Sequence, residues 1–496
     1  MSEIALGCAD DATLAGLRAC LVEAGYTTDR VEKILGVGRI SFRATDVAVH
    51  ARRLPPGEPF SALAGLFLLG LPLATADAEA AIGPVGLSRL ERAGVLQGVD
   101  GAVRAAFKLV PHGDLLIASD RDGEPSTAHD WVAGIHPPSV TLAKLTVRRP
   151  VTGALDLGTG NGIQALLASR HAERVIATDV NPRALDFARF NARLNGVSNI
   201  EFRQGSFFEP VEGERFDLIV SNPPYVISPE SRYAYRDSGL AGDGCARHVV
   251  ESAPAFLAEG GYAHLLVSWA HPAEGGWRAP LERWVAGRDC DAWLLHFGSD
   301  DPVTHAASWL EPLAGENGPA FEDALGRWLA YLEGLRIGAI AYGAVILRRR
   351  STGGNWTRGE HVPLDRVEQA SDHVLRVFGS HDRLEGLEDE RSLLDAHLAL
   401  VEASHLEQTL VCRDGELQLR DTVLSLDEGL GSRIGLDLHT ARLLPLLDGR
   451  RSLREALAER AAEMGLGDED AARFADAGLP ALRRLLELGF LAPVRQ

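Results

Sequence analysis

Lysine is nearly absent from this 496-residue chain. Its 50 basic residues include only three lysines, Lys33, Lys108 and Lys144. Acidic residues number 69, which sets the formal net charge at −19. Because proteins hold nucleic acid largely by neutralising its phosphates, this balance disfavours a broad electrostatic grip on DNA or RNA and leaves room only for a local basic patch.

Cysteine pairs with a redox or metal-binding spacing are also missing. The five cysteines are scattered without a C-x-x-C motif, which predicts reduced thiols. The most apolar stretch, 60–73, is too short to span a membrane and contains Pro72. The first residues lack the basic start of a signal peptide. We therefore expect a cytoplasmic chain with no membrane partner.

Several catalytic signatures are absent as well. The sixteen histidines form no H-E-x-x-H or other metal-ligand spacing, and neither a G-x-S-x-G hydrolase elbow nor a Walker lysine occurs. The sequence therefore predicts no metal site, no serine hydrolase of that type and no P-loop enzyme. His361, His373 and His381 are interpreted as surface residues on helices.

Glycine is concentrated in one informative string, Asp156-Leu-Gly-Thr-Gly-Asn-Gly162. The string follows a strand-like apolar run at 151–157 and precedes a helical run at 163–169. Glycines here allow a tight turn and the close approach of a bound cofactor at the start of a helix. The spacing is G-x-G-x-G, which differs from the G-x-G-x-x-G of dinucleotide-binding proteins.

A second string, Asn222-Pro-Pro-Tyr225, follows a buried-strand pattern at 216–221. Between the two strings, residues 174–179 have the pattern of a strand that ends in Asp179, 21 residues after Gly158. That spacing suits a carboxylate that accepts hydrogen bonds from ribose hydroxyls. Ligands of open parallel sheets bind at the carboxyl ends of the strands, so we expect both strings and the acid to face one crevice.

Together these features resemble the class I S-adenosylmethionine-dependent methyltransferases. An acidic strand end suits the sulfonium and ammonium groups of that cofactor better than it suits a phosphate. The resemblance implies S-adenosylmethionine as cofactor and an antiparallel last strand at 338–349. The residues expected to bind the cofactor are Asp156, Gly158, Thr159, Gly160, Gly162, Asp179, Val180, Ser206, Phe207 and Asn222.

The Asn-Pro-Pro-Tyr string indicates transfer onto a planar nitrogen, which is a poor nucleophile because its lone pair is delocalised. The side-chain carbonyl of Asn222 and the backbone carbonyl of Pro223 can accept both N–H groups, which aims the lone pair at a methyl group and stabilises the developing positive charge. Proline restricts the backbone, and Tyr225 can stack on the flat group. Asn222, Pro223 and Tyr225 are the predicted catalytic residues.

The arrangement is similar to two kinds of enzyme, the release-factor glutamine N5-methyltransferases and the adenine N6-methyltransferases. Residues 236–244 resemble a segment of the glutamine enzymes, which favours a protein glutamine as acceptor, with a translation factor as one candidate. Where those enzymes usually place an acid that binds the adenine amino group, this chain has Gly205-Ser-Phe-Phe208, in which Ser206 can still form a hydrogen bond. The flanking regions do not match the short release-factor-binding domain expected of that family.

Three interpretations of the function are therefore open. The first is methylation of a protein glutamine, and the second is N6-adenine or N2-guanine methylation of RNA or DNA. The third is a non-catalytic, S-adenosylmethionine-binding interaction protein, against which the intact Asn-Pro-Pro-Tyr string argues. A contiguous arginine face on the flanking modules, Arg348–Arg350 included, would favour the second. The sequence does not determine the oligomeric state.

Alternating strand and helix patterns predict an α/β fold with a Rossmann-like, seven-stranded methyltransferase sheet. Mainly helical, winged-helix-like modules are expected on both sides, giving domains at 1–130, 131–355 and 356–496. For the first domain, a helical cap with a β-ribbon docked on the catalytic domain is an equal alternative. Residues 300–323 are an insertion expected to help shape the substrate side.

The flanking regions carry further local predictions. Residues 103–110 and 114–119 are expected to form a β-hairpin. Residues 361–405 are expected to be helical, and 409–424 to form a hairpin that turns at Asp414 and Gly415.

Overall fold

The structure, a computed structural model, describes residues 9–36, 44–121, 130–230, 239–272, 276–314 and 318–493. The chain divides into two compact units, of which the first contains Met1–Ala143 and Pro150–His361 and the second contains Lys144–Arg149 and Val362–Gln496. The first unit holds most of both the predicted N-terminal and methyltransferase domains, so the three-domain division stays a prediction. Among the described residues, no helix is long and apolar enough to cross a bilayer.

The N-terminal part of the first unit is helical and then β-structured. Its helices are Asp11–Glu23 (α1), Thr28–Leu35 (α2), Ala44–Arg53 (α3), Pro59–Leu63 (α4), Thr75–Ile82 (α5) and Leu87–Arg92 (α6), with a π-helical turn at Ala64–Leu68 and a 3-10 turn at Gly83–Val85. Its strands are Leu73–Ala74 (β1), Leu96–Val99 (β2), Ala102–Ala105 (β3), Lys108–His112 (β4) and Leu115–Ser119 (β5).

The predicted hairpin is confirmed in β4 and β5, but its first strand does not extend over 103–110, because the chain changes sheets within that range. β3 pairs with β1 and β2, whereas β4 pairs with β5 in a separate hairpin. Phe107 lies between the two sheets, fully buried, and its ring meets the rings of Phe187 and Phe190 edge-on. A one-dimensional apolar pattern does not reveal this change of sheets.

A large sheet of eight strands forms the centre of the first unit. Its strands are Val151–Leu157 (β6), Ala172–Asp179 (β7), Ile200–Gln204 (β8), Phe216–Ser221 (β9), Leu257–His271 (β10), Cys290–Asp300 (β11), Ala339–Arg349 (β12) and Thr357–His361 (β13), in the order β13-β11-β12-β10-β9-β6-β7-β8. β12 is antiparallel to both neighbours, as the resemblance implied, and the other pairs are parallel. The predicted sheet has seven strands, and the structure has eight, with β13 added at the edge.

Helices cover this sheet and connect its strands. They are Pro137–Leu145 (α7), Ile163–Ala168 (α8), Pro182–Leu194 (α9), Gly244–Phe256 (α10), Arg278–Val285 (α11), Pro302–Ala314 (α12) and Gly318–Gly334 (α13). α12 and α13 lie between β11 and β12, and the predicted insertion at 300–323 contains α12 and the first six residues of α13. We call these two helices the inserted hairpin.

The side chain of Asn191 on α9 connects the N-terminal hairpin to the central domain. Its Oδ1 accepts a hydrogen bond from the Ala118 backbone N–H at 2.8 Å, and its Nδ2 donates to the Ala118 carbonyl at 2.9 Å. Nδ2 also donates to the carbonyl of Asn161 at 2.8 Å. Asn195, one turn later, pairs with both backbone groups of Leu116. Two side chains at the end of α9 thus satisfy the backbone groups along the free edge of β5. This agrees with the alternative of a β-ribbon docked on the catalytic domain.

Replacing Asn191 with leucine is expected to lower the free energy of unfolding of the first unit by about 3 kcal/mol or more. The change leaves three buried backbone groups without a partner, at about 1–3 kcal/mol each. Arg189→Ala, which removes an exposed ion pair with Asp186 on the same helix, is the control and should cost less than about 1 kcal/mol. Urea unfolding measures both, and equal losses would contradict the role of Asn191.

The second unit combines helices with small antiparallel sheets. Its elements are Ser371–Glu385 (α14), Leu398–Leu400 (β14), Ser404–Arg413 (β15), Glu416–Leu426 (β16), Arg433–Gly435 (β17), Leu438–Leu443 (α15), Leu453–Glu463 (α16), Asp468–Glu487 (α17) and Leu491–Pro493 (β18), with 3-10 turns at Leu364–Arg366, Glu390–Asp395 and Leu444–Leu446. The predicted hairpin is confirmed, with positive φ at both Asp414 and Gly415, as a tight two-residue turn requires. The prediction of a helical 361–405 is correct only for α14.

The histidine predictions are partly wrong. His361 is exposed but ends strand β13 instead of lying on a helix. His373 does lie on α14 but is buried, and its ring nitrogens bond to the Leu488 carbonyl at 3.0 Å and the Leu430 N–H at 3.2 Å. Because a carbonyl only accepts, Nε2 carries the proton and Nδ1 is the acceptor. Both ring nitrogens are satisfied, which makes this histidine compatible with the core.

Candidate active site

The predicted site regions begin at one edge of the central sheet. β9, β6, β7 and β8 are consecutive in the sheet and parallel. Leu157 is paired with Ser221 on one side and with Thr178 on the other, and the Ser221 hydroxyl donates to the Leu157 carbonyl at 2.8 Å. Each of these three paired residues is followed directly by a predicted site region. The regions are the glycine loop (residues 158–162), the acid that ends β7, and the Asn-Pro-Pro-Tyr loop (residues 222–225), so all three begin side by side.

The glycine loop is open at Gly158 and Gly160, and we call this open side the cradle. At Gly162 the loop packs against α9. Gly158, Gly160 and Gly162 have φ values of +74°, +55° and +86°, which favour glycine. A Cβ at Gly158 or Gly160 would meet no atom within 4 Å, whereas one at Gly162 would lie 3.0 Å from the Cβ of Ala188. The first two glycines thus leave space for a ligand, and the third lets the loop approach α9.

Asp179 links the glycine loop to the end of β7. Its Oδ2 accepts the Gly160 N–H and its Oδ1 accepts the Asn181 N–H, both at 2.9 Å. Burial raises the pKa of this carboxyl, and the backbone hydrogen bonds oppose that shift. Val180, the next residue, is 58% exposed although it is apolar. A carboxylate with unused lone pairs therefore stands beside an open apolar surface.

Ser206 and Phe207 follow the next strand of the sheet. The Gly205 N–H donates to the Asp179 carbonyl at 3.1 Å, which holds this loop against the end of β7. Phe207 has a φ of +47°, an uncommon conformation for a bulky residue, and its ring meets that of His248 edge-on at 4.6 Å. Both Ser206 and Phe207 are only partly buried, so they extend the rim of the cradle.

The Asn-Pro-Pro-Tyr loop combines residues that pack into the domain with one polar side chain that is accessible to a ligand. Pro223 is buried, and Tyr225 is partly buried against the core cluster beneath α10, which raises the pKa of its phenol. Asn222 is partly exposed, and within the described part of the chain its side chain makes no hydrogen bond. An amide that is free to bind a ligand is thus anchored by residues that pack into the domain.

Comparisons with known proteins agree with this geometry. A family model described as a methyltransferase small domain matches residues 139–274, the stretch that contains both loops. A putative protein N5-glutamine methyltransferase of Methanocaldococcus jannaschii is 33% identical over 138 residues, which are 26% of this chain and 68% of that relative. The chain belongs to the class I S-adenosylmethionine-dependent methyltransferases.

The similarity to these relatives covers between about a quarter and a third of this chain. The release factor glutamine methyltransferase of Vibrio cholerae is 41% identical over 182 residues, 30% of this chain and 63% of the relative. The chain spans about half the length of the curated relatives it matches. A second family model, of a domain of unknown function, matches residues 23–106. A methyltransferase structure from Pyrococcus furiosus is 16% identical over 47% of this chain and 89% of that chain, with a TM-score of 0.29.

The motif acid of this methyltransferase domain lies beneath the glycine loop. Asp156 is 1% exposed, and its Oδ2 accepts from the Thr159 hydroxyl at 2.6 Å and the Ala165 N–H at 2.9 Å. Thr159 is also buried. These contacts join the loop to the first turn of α8. We interpret both residues as shaping the cradle from below.

The pKa of Asp156 predicts a pH-dependent stability. Burial raises it from 3.8 to about 7, so the folded state binds this proton more tightly than the unfolded state does. The stabilising contribution is complete below about pH 4 and is lost as the pH rises through about 7. Asp156→Asn, which does not ionise, should therefore raise the free energy of unfolding at pH 8 and change it much less at pH 4. Urea unfolding at both pH values tests this, and a pH-independent difference would contradict it.

Three polar residues that the sequence analysis overlooked tie residues 130–139 to the cradle. Asn161 Nδ2 donates to the Ala133 carbonyl at 2.9 Å, and Gln164 Nε2 donates to the Ser139 carbonyl at 2.7 Å. Asn181 Nδ2 donates to the carbonyl of Asp130 at 2.9 Å. The sequence could have indicated these residues by their positions just after the motif residues, because a side-chain amide there can donate a hydrogen bond to a backbone segment that passes over the loop.

The segment that favoured the glutamine enzymes is only partly described. Residues 236–238 lie outside the described residues, and Asp243 immediately precedes α10. Its Oδ2 accepts the Ala270 N–H at 3.2 Å, and burial raises its pKa. In the described part, this segment therefore connects α10 to the end of β10.

Proposed function

We propose that this chain transfers a methyl group from S-adenosylmethionine to a planar amide nitrogen, and that the acceptor is a glutamine side chain of a protein. The observation that carries the proposal is the Leu157–Ser221 register, which starts the glycine loop and the Asn-Pro-Pro-Tyr loop side by side. The names of the relatives, release factor glutamine methyltransferase and protein N5-glutamine methyltransferase, support an amide acceptor and make a translation factor the first candidate.

The residues of the cradle fit S-adenosylmethionine. When bound, this cofactor supplies a methyl group on a positively charged sulfur. Gly158 and Gly160 leave room for it, and the remaining lone pairs of Asp179 can accept its ribose hydroxyls. The exposed side chain of Val180 offers an apolar surface for a flat base. In our proposal Ser206 and Phe207 extend this surface, while Asp156, Thr159 and Gly162 hold the loop in shape.

The Asn-Pro-Pro-Tyr loop would orient the acceptor. The Asn222 side-chain oxygen and the Pro223 carbonyl accept the two N–H groups of the amide, which directs its lone pair away from the loop and towards the cradle. These acceptors also stabilise the positive charge that develops on the nitrogen. Tyr225 stacks on the planar group and excludes water. No strong base is required, because the extra proton is acidic once the nitrogen is methylated.

A protein acceptor agrees better with the charge distribution than a nucleic acid does. Arginines 348–350, which were expected to be part of an exposed basic face if the acceptor is a nucleic acid, are less than a fifth exposed. Arg348 bonds to Asp291 at 2.6 Å, Arg350 lies 3.5 Å from the same carboxylate, and Arg349 donates to the Pro254 carbonyl. The exposed charged residues in the described part of the inserted hairpin are Glu311, Glu322, Asp323, Arg327 and Glu333.

Transfer of a labelled methyl group to cell lysate tests the proposal. The protein is incubated with lysate and methyl-labelled S-adenosylmethionine, and the products are treated with protease or nuclease. We expect label that protease releases and nuclease does not, located on glutamine by mass spectrometry. Label released by nuclease would establish the nucleobase alternative instead. Binding of S-adenosylhomocysteine without any transfer would support the non-catalytic alternative.

A further inference from the structure

The inserted hairpin packs directly on the chain that leaves the Asn-Pro-Pro-Tyr loop. α12 and α13 enclose a small core of Ala306, Leu310, Ala324 and Trp328. Val226, the residue after Tyr225, is part of that cluster. The loop is therefore continuous with the interior of a structure inserted between β11 and β12.

The next residue is fixed from the other side. Ile227 is fully buried in a cluster with Leu332 of α13 and Ile340 of β12. Ala270, near the end of β10, packs against the same cluster. The exit of the Asn-Pro-Pro-Tyr loop thus lies between the inserted hairpin and the central sheet.

One polar contact joins the inserted hairpin to the backbone of this exit. His305 of α12 is 5% exposed, and its Nε2 lies 3.1 Å from the Ile227 carbonyl oxygen. Because the carbonyl only accepts, Nε2 carries the proton and donates it. The ring lies 5.9 Å from the ring of Trp328, whose Nε1 is 3.4 Å from Glu230 Oε1. The imidazole therefore has a defined orientation and a defined partner.

We propose that His305 is a positioning residue for methyl transfer, and that it acts by holding the backbone two residues after Tyr225. This inference rests on the proposed function of the Asn-Pro-Pro-Tyr loop. His305 touches neither the cradle nor Asn222 in any hydrogen bond, so its effect on the reaction is indirect. Loss of its bond leaves a buried carbonyl without a donor and allows the loop to shift. A displacement of about 1 Å at such a loop can lower a rate by about 100-fold.

Three variants separate this role from general stability. His305→Leu removes the donor, and His305→Gln supplies an amide N–H at a similar reach. Ser308→Ala is the matched control on α12, because the Ser308 hydroxyl donates only to the His305 carbonyl, at 2.9 Å, and not to the loop. If the leucine variant fails to fold, His305→Phe keeps an aromatic ring beside Trp328 and still lacks the donor.

The first measurement is hydrogen–deuterium exchange of the backbone amides of Asn222, residues 225–228 and Glu230, since the three prolines of this segment carry no amide hydrogen. We expect exchange in His305→Leu to be at least about tenfold faster than in the wild type, because the local opening free energy falls. His305→Gln should restore most of the protection, and Ser308→Ala should match the wild type. Unchanged exchange in both donor-free variants, or no difference between glutamine and leucine, would overturn the proposal.

The second measurement is steady-state transfer to a synthetic peptide that contains one glutamine. His305→Leu should lower kcat/KM by about 10- to 100-fold, while the affinity for S-adenosylhomocysteine, measured by calorimetry, stays at the wild-type value. An equal loss of both would indicate a general structural role and contradict positioning. If the wild type itself methylates no amide, the proposed function fails, and the exchange experiment still decides whether His305 holds the loop.

Discussion

Replacing Asn222 with alanine is expected to slow methyl transfer by about 100-fold or more, the range in which loss of one preorganised hydrogen-bonding partner lowers enzymatic rates. In the described part of the chain the Asn222 side chain makes no hydrogen bond, so its removal disturbs no internal contact. The melting temperature and the affinity for S-adenosylhomocysteine should therefore stay at their wild-type values. Single-turnover kinetics with a glutamine peptide, together with calorimetry, measure the two effects separately.

Asn355 provides the matched control for this substitution. It is exposed, and its Nδ2 donates to the Arg350 carbonyl at 2.9 Å. It follows β12, whose antiparallel direction places this end of the strand at the sheet edge opposite the cradle. Asn355→Ala should leave the rate unchanged. Retained activity in Asn222→Ala, or an equal loss in the control, would remove Asn222 from the catalytic role.

Replacing Asp179 with alanine should weaken the binding of S-adenosylhomocysteine by about 100-fold or more. Hydrogen bonds to a charged group contribute about 1.5–3 kcal/mol, and two ribose hydroxyls would lose their acceptor. The Gly160 N–H would also lose its partner, so the glycine loop would become less ordered. Calorimetric titration with S-adenosylhomocysteine gives the dissociation constant directly.

The control for this second substitution is Asp217→Ala. The Asp217 carboxylate also accepts two backbone N–H groups, those of Thr152 and Gly153, each at 3.0 Å, but at the amino end of β6. Its loss should lower stability without changing the affinity for S-adenosylhomocysteine. Equal affinity of Asp179→Ala and the wild type would contradict the assignment of the ribose site, whatever the effect on stability.

The placement of the site regions was predictable because it depends on local signals. Apolar runs at 151–157, 174–179 and 216–221 identify buried strands, and parallel strands bring their carboxyl ends to one edge. Asp179 and the two loops are together in the structure for that reason. β13 was not predicted, because Thr357–His361 has no apolar alternation and is defined only by its pairing with β11.

Contacts between distant segments were beyond the sequence patterns. Phe107, between β3 and β4, packs against two phenylalanines of α9. Asn191 bonds to β5, 73 residues away, and to the glycine loop, 30 residues away. His373 was predicted to be exposed and is buried, because Leu488 and Leu430 supply its two partners from far along the chain. Each of these side chains depends on a partner that no local window contains.

By itself the sequence determined the α/β architecture, the family and the order of the motif loops along one edge of the sheet, since strand direction and glycine conformation are local properties. Only the tertiary structure decided that Asp156 is buried with Thr159 and Ala165 as hydrogen-bonding partners, and that His305 reaches the exit of the Asn-Pro-Pro-Tyr loop. The physical reason is that burial and hydrogen bonding depend on which segments meet, and long-range packing decides that.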